Sequence, residues 1–151
     1  MHSAALVVQR SGGNAERCGF EISMPSDTPL MQADGALLQE IFLNLFFNAV
    51  QAGPDPCLVR ITGSFEKRGE SDHADLVVEI TDNGPGIPQA VQPHIFQAFY
   101  TTRQRGTGLG LYIVKRNVEA LGGTITFRSP LGDAGGTLFR LTFPLQQGPR
   151  H

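Results

Sequence analysis

Residues Asp82-Asn83-Gly84-Pro85-Gly86-Ile87 follow a run of strand-type residues and precede a second glycine stretch, Gly106-Thr107-Gly108-Leu109-Gly110-Leu111. A third, Gly135-Gly136-Thr137, completes the series, and Asn44 and Asn48 come before all of them on a strongly apolar segment. Glycines let a backbone take positive φ and come close to a ligand. Successive N–H groups in such loops form concavities that hold anions. In this order the four segments read as a nucleotide site with an adenine end and a phosphate end.

Working outward, strands are predicted at about Cys57–Glu66 and Asp75–Thr81, joined by a polar hairpin loop from Lys67 to His73. Upstream, Phe20, Ile22 and Met24 alternate with Glu21 and Ser23, which predicts another strand. Asp34 reads as the N-cap of a helix running to about Ala52, which Gly53-Pro54-Asp55-Pro56 stops. Leu37, Leu38, Ile41, Phe42, Leu45, Phe46 and Ala49 give it a wide buried stripe. A short helix is predicted from Pro88 to about Phe96, then irregular chain over 97–107. A second long helix follows from about Gly108 to Leu121, with Leu111, Ile113, Val114, Val118 and Leu121 inward and Gly122-Gly123 closing it. Strands near Thr124–Ser129 and Gly136–Phe143 form a last hairpin around Pro130 to Gly135. The sum is α+β: about five strands and three helices, a sheet with helices on one face. One domain spans 14–146. Residues 147–151 are a tail, and 1–13 are a tail, a loose strand or the stub of a preceding helix.

The totals agree with that outline. A chain of 151 residues suffices for one domain with a real core, and 40% hydrophobic with 17% charged residues is ordinary for a globular protein. A net charge of −2 argues against a broadly basic nucleic-acid surface. Cys18 and Cys57 have no metal-ligand spacing; they read as reduced thiols in a cytosolic setting, with a disulfide as the unsupported alternative. There is no signal peptide and no apolar run long enough to span a bilayer, so any membrane segment of a longer protein lies outside this sequence.

Each site segment has an ordinary reading beside the functional one. Glu40, Asn44, Asn48 and Gln51 form one polar stripe on the first long helix, which for any single residue is best read as a solvated face. Asparagine is a poor helix former, however, and two of them one turn apart suggest amides aimed at a ligand. An amide oxygen suits Mg²⁺ held alongside phosphate oxygens. Asp82-Asn83-Gly84 alone would be a turn. The longer string through Ile87 puts a carboxylate at a strand end, where it can accept from the exocyclic amine of adenine, with Gly84 and Gly86 leaving room for the ring. Gly106 to Leu111 at a helix N-terminus offers free N–H groups and the favourable end of the dipole to phosphate. It lacks the preceding strand of a dinucleotide fingerprint and the lysine of a P-loop. Phe96, Phe99 and Tyr100 are either core or the anchors of a hinged lid whose Arg103 or Arg105 reaches the phosphates on closing.

These segments, in this order, resemble the catalytic ATP-binding domain of two-component sensor histidine kinases, a family grouped with the gyrase, heat-shock chaperone and mismatch-repair ATPases. The resemblance covers roughly residues 16–145. Asn44 to Ala49 looks like the asparagine box, and Asp82 to Gly86 like the first glycine box. Phe96-Gln97-Ala98-Phe99-Tyr100-Thr101-Thr102-Arg103 looks like the phenylalanine box, of the nitrogen-regulation type. Gly106 to Leu111 looks like the second glycine box, and Gly136-Thr137 like the last, minor one.

The resemblance implies the Bergerat ATP-binding fold, a two-layer sandwich of a mixed five-stranded sheet and three helices. It implies ATP and Mg²⁺, with Asn48 as the metal ligand and Asn44 supporting it. Asp82 would hold the adenine, with Gly84, Gly86, Ile87 and Thr137 around it. Gly106, Thr107, Gly108, Leu109, Gly110 and Leu111 would cradle the phosphates, beside Phe99, Tyr100, Thr101, Thr102 and Arg103. Asn44, Asn48 and Arg103 are the implied catalytic residues. The sister ATPases carry at the position of Asn44 a glutamate that activates water; an amide cannot act as that base, which suits transfer over hydrolysis. Many members have a lysine where this chain has Gln51, so Arg103 is the candidate to take over that cationic contact.

The implied partners are a dimerisation domain carrying the phosphoacceptor histidine and a downstream response regulator, with no nucleic acid and no direct membrane contact. The implied location is cytoplasmic, for instance as the cytosolic part of a membrane-bound sensor. None of His2, His73, His94 and His151 is followed by an acidic residue as the family's substrate histidine is. The chain then reads as the ATP half of a kinase, excised or naturally separate. Two other readings share the fold: a serine kinase of the anti-sigma type, and a pseudokinase that binds nucleotide and regulates a partner.

Overall fold

The computed structural model describes residues 18–23, 35–52, 57–67, 69–70, 74–100 and 110–145. The five strands are β1 (Cys18–Ser23), β2 (Cys57–Lys67), β3 (Ala74–Asp82), β4 (Thr124–Arg128) and β5 (Thr137–Pro144). They form one sheet in the order β1-β2-β3-β5-β4. β1 runs parallel to β2, and the other pairings are antiparallel, so the sheet is mixed. The helices are α1 (Gly35–Ala52) and α2 (Gly110–Ala120).

The register sorts side chains by face. Ile61, Ile80, Phe139 and Phe127 are successive partners across four strands, and Val78, Leu141 and Ile125 across three. On this face the core forms against Leu38, Ile41, Leu45 and Ala49 of α1 and Val114 and Val118 of α2. Ile41, Val78, Val114, Val118, Leu141 and Phe143 are fully buried. Truncating any of the large ones leaves a cavity costing about 2–5 kcal/mol. The other face carries charge. Arg140 grips Glu66 through two 2.9 Å hydrogen bonds and lies 3.5 Å from Glu79, and Arg60 reaches Glu21 at 2.8 Å. A sheet with one packed and one charged face, its helices on the packed side, is the two-layer α+β sandwich that the apolar periodicities predict.

The differences from the sequence reading are local. Pro88 to Phe96 does not form a short α-helix. It is a succession of turns around a 3₁₀ helix, Gln92–His94, in which Val91 donates to Pro88 O, His94 to Val91 O and Gln97 to His94 O. Pro93 has no N–H and so removes a rung of any α-helical ladder there. Ile113 is only half-buried, because Val114 and Val118 take the inward stripe of α2. The parallel register also sets Cys18 opposite Cys57, a juxtaposition that sequence spacing gives no hint of. Asp34, Met24 and the expected tails lie outside the described residues.

Candidate functional site

The segment expected to hold the base is built where β3 stops. Asp82 is its last residue and the register partner of Thr137, the first of β5. One residue on, Asn83 extends the ladder: its N–H donates to Leu58 O at 3.2 Å, and its Oδ1 accepts from Leu58 N–H at 2.7 Å. Asp82 Oδ1 accepts from Gly84 N–H at 2.8 Å, a carboxylate-capped turn that aims the chain away from the sheet.

The β4–β5 hairpin then clasps this turn. Gly136 N–H donates to Gly84 O at 2.7 Å, and Ile87 N–H donates to Ser129 Oγ at 2.7 Å. Gln92 Nε2 spans both segments, donating to Ile87 O at 3.0 Å and to Ser129 O at 2.8 Å. Every backbone polar group of Gly84 and Ile87 is thus paired. Gly135, at φ +96°, packs so closely that a Cβ there would stand 2.6 Å from Gly84 O. Gly86, at φ +87°, brings the loop against Ser129 and Pro130.

The residues expected at the phosphate end that the structure describes lie on helix faces. Asn44 and Asn48 are half-buried on α1. Asn44 Nδ2 donates back to Glu40 O at 2.9 Å, which fixes the amide so that its oxygen looks toward α2. A Cβ on Gly110, the first residue of α2, would sit 3.5 Å from Asn44 Oδ1. Glu40 Oε2 accepts from Asn117 Nδ2 at 3.2 Å and ties the two helices. Among the described residues no three His, Cys, Asp or Glu side chains gather as a metal cage. One or two amide oxygens are a donor set that fits Mg²⁺, which keeps its waters and takes the remaining oxygens from phosphate.

Between the two ends, Phe96 packs edge-on against Phe127, with Lys115 Nζ 5.4 Å from its ring centre. Tyr100 stacks on His94 with centroids 5.0 Å apart, and His94 Nδ1 lies 3.2 Å from Gln97 Oε1. Phe99 does not act as an anchor: it sits at φ +66° with 76% of its surface exposed.

Of the residues the sequence singles out, Asp82, Gly84, Gly86, Ile87 and Thr137 come together at the end of β3. Asn44 and Gly110 meet between the helices, with Leu111 beside them at the start of α2. Thr101, Thr102, Arg103, Gly106, Thr107, Gly108 and Leu109 lie outside the described residues, as does the Gln51 side chain. Sequence reasoning misses Ser129 and Gln92. The one signal for Ser129 is a Ser-Pro step in a hairpin loop, which reads as turn chemistry and nothing more, and Gln92 has none.

A family model described as histidine kinase-, DNA gyrase B-, and HSP90-like ATPase matches residues 33–147. The chain belongs to this family. It is 34% identical over 143 residues to the sensor protein KdpD of Clostridium acetobutylicum, covering 91% of this chain and 15% of that protein. It is likewise 34% identical over 144 residues to the sensor histidine kinase ZraS of Escherichia coli K12, covering 95% and 29%. The chain therefore spans less than a third of these relatives. Among solved structures it is similar to a mycobacterial sensor histidine kinase, MprB, with a TM-score of 0.67 at 29% identity over 85% of this chain and 83% of that one. Full-length ShkA in complex with AMPPNP gives 0.63 at 31% identity over 91% and 28%. No helix among the described residues is long and apolar enough to cross a membrane.

Proposed function

We propose that this chain is the phosphodonor half of a two-component sensor histidine kinase. It binds Mg-ATP and presents the γ-phosphoryl group to a histidine on a dimerisation domain, from which a response regulator is charged. The observation that carries the reading is the pair of segments just described. Asp82 sits in a turn in which the backbone groups of Gly84 and Ile87 are all hydrogen-bonded, and Asn44 faces the first residue of a helix N-terminus.

In this reading Asp82 accepts from the adenine amine and Thr137 lies beside it. Asn48 supplies an amide oxygen to Mg²⁺, Asn44 holds that side of α1, and the N–H groups opening α2 receive phosphate. Arg103 neutralises charge as the bond to the bridging oxygen breaks and the incoming imidazole nitrogen bonds to phosphorus. Phosphoryl transfer needs mainly positioning and charge stabilisation, so a site with no general base suffices. The amide of Asn44 leaves water unactivated, which favours transfer over hydrolysis.

Calorimetric titration tests the binding half of the reading. Mg-ATP and ADP bind the chain with one-to-one stoichiometry; a folded chain that binds neither sinks it.

A further inference from the structure

The hydroxyl of Ser129 has one hydrogen and two lone pairs, and three neighbours compete for them. Ile87 N–H, 2.7 Å away, can only donate. The Gly136 carbonyl oxygen, 3.1 Å away, can only accept. The third neighbour is Thr137 Oγ1 at 2.9 Å, which can do either. Only one arrangement pairs all three at once. In it Ser129 spends its hydrogen on Gly136 O and one lone pair on Ile87, so its last lone pair takes the hydrogen of Thr137. Thr137 gives up its only hydrogen and can offer an incoming group nothing but an acceptor oxygen.

Thr137 is 4% exposed, so bulk water does not reshuffle this arrangement. It is the register partner of Asp82, and partnered residues project from the same face of a sheet. An ionised carboxylate is also acceptor-only. The site therefore sets two acceptors side by side, which match a group with two N–H bonds and oppose a carbonyl oxygen. Gln92 steadies the device by holding Ser129 O and Ile87 O together.

We propose that Ser129 is a positioning residue that sets base preference: it locks the Thr137 hydroxyl as an acceptor beside Asp82, so the site takes a 6-aminopurine nucleotide and turns away a 6-oxopurine one. The inference rests on the reading of this turn as the adenine end.

The test is calorimetric titration of the chain with ADP and with inosine diphosphate, in wild type, Ser129→Ala and Ser129→Thr. Wild type prefers ADP. Ser129→Ala frees the Thr137 hydroxyl to turn and donate to a 6-oxo group, and the ADP-over-IDP ratio falls roughly tenfold. Ser129→Thr keeps a hydroxyl and restores the ratio. A Ser129→Ala protein that weakens both nucleotides by the same factor, or neither, overturns the proposal, since a purely structural role would not touch the ratio. If Ser129→Ala does not fold, Thr137→Val asks the same question: ADP weakens and IDP does not, and equal weakening overturns the inference. Failure of wild type to bind ADP at all would instead overturn the nucleotide-site reading beneath it.

Discussion

The two ends of the site are held by different means. At the base end, Gly84 and Ile87 of the turn are tied to a neighbouring hairpin by two hydrogen bonds of 2.7 Å, and the Gln92 side chain bridges Ile87 O and Ser129 O. At the phosphate end, two helices that share the apolar core are also linked by an exposed side-chain bond, Glu40 to Asn117 at 3.2 Å, and the proposed functional groups are amides on a helix face. A strand end suits a flat heterocycle in the proposed reading, because the backbone groups of Gly84 and Ile87 already have partners. Helix faces leave room for a metal ion and its waters, whose geometry is completed by the phosphates themselves. In the proposed reading the base end is built before the nucleotide arrives, and the phosphate end is completed by it.

Substitutions can break or sharpen that contrast. The largest effect belongs to Gly135→Ala. Its φ of +96° and a Cβ only 2.6 Å from Gly84 O force the hairpin off the turn. The expected loss is about 2–4 kcal/mol of stability in urea unfolding. A variant as stable as wild type would show that the hairpin does not clasp the turn. Next is Asp82→Asn, which replaces a charged acceptor by an amide. A charge-assisted hydrogen bond is worth about 1.5–3 kcal/mol, so ADP affinity drops roughly 10- to 100-fold by calorimetry. Unchanged affinity in a folded protein would remove Asp82 from the base end.

Asn48→Ala sharpens the other side. It should lower ATP affinity roughly tenfold in the presence of Mg²⁺ and little in its absence. Equal loss under both conditions would mean Asn48 is no metal ligand. The smallest effect is Asn117→Ala, which removes one exposed interhelical bond and costs about 0.5 kcal/mol. A loss several times larger in thermal unfolding would show the helix pair to be as tightly tied as the base end.

The sequence made the base and phosphate ends legible to different degrees. Asn44 and Asn48 stood out because asparagine is out of place in an apolar helix, and Asp82 because a carboxylate at a strand end precedes two glycines. The five strands and both helices followed from alternation, from a helical apolar stripe and from the breakers around them. Ser129 and Gln92 were invisible for a physical reason. Their roles depend on Ser129 and Ile87 being brought together across 42 positions, and on the last lone pair of one hydroxyl. The same holds for Gly135, which looks like a turn glycine until Gly84 O is found against it. The segment from Pro88 misled because its apolar residues suit a helix, while Pro93 denies the ladder a donor.

The most direct measurement of the central claim is transfer of label from γ-labelled ATP to a separate dimerising histidine domain of its own kinase. Alone, the chain should bind ATP, hydrolyse it slowly and remain unlabelled. With the histidine domain added, label should appear on that domain in an acid-labile, alkali-stable form, as expected of phosphohistidine. Rapid hydrolysis by the chain alone, or an acid-stable phosphoserine product, would contradict the account.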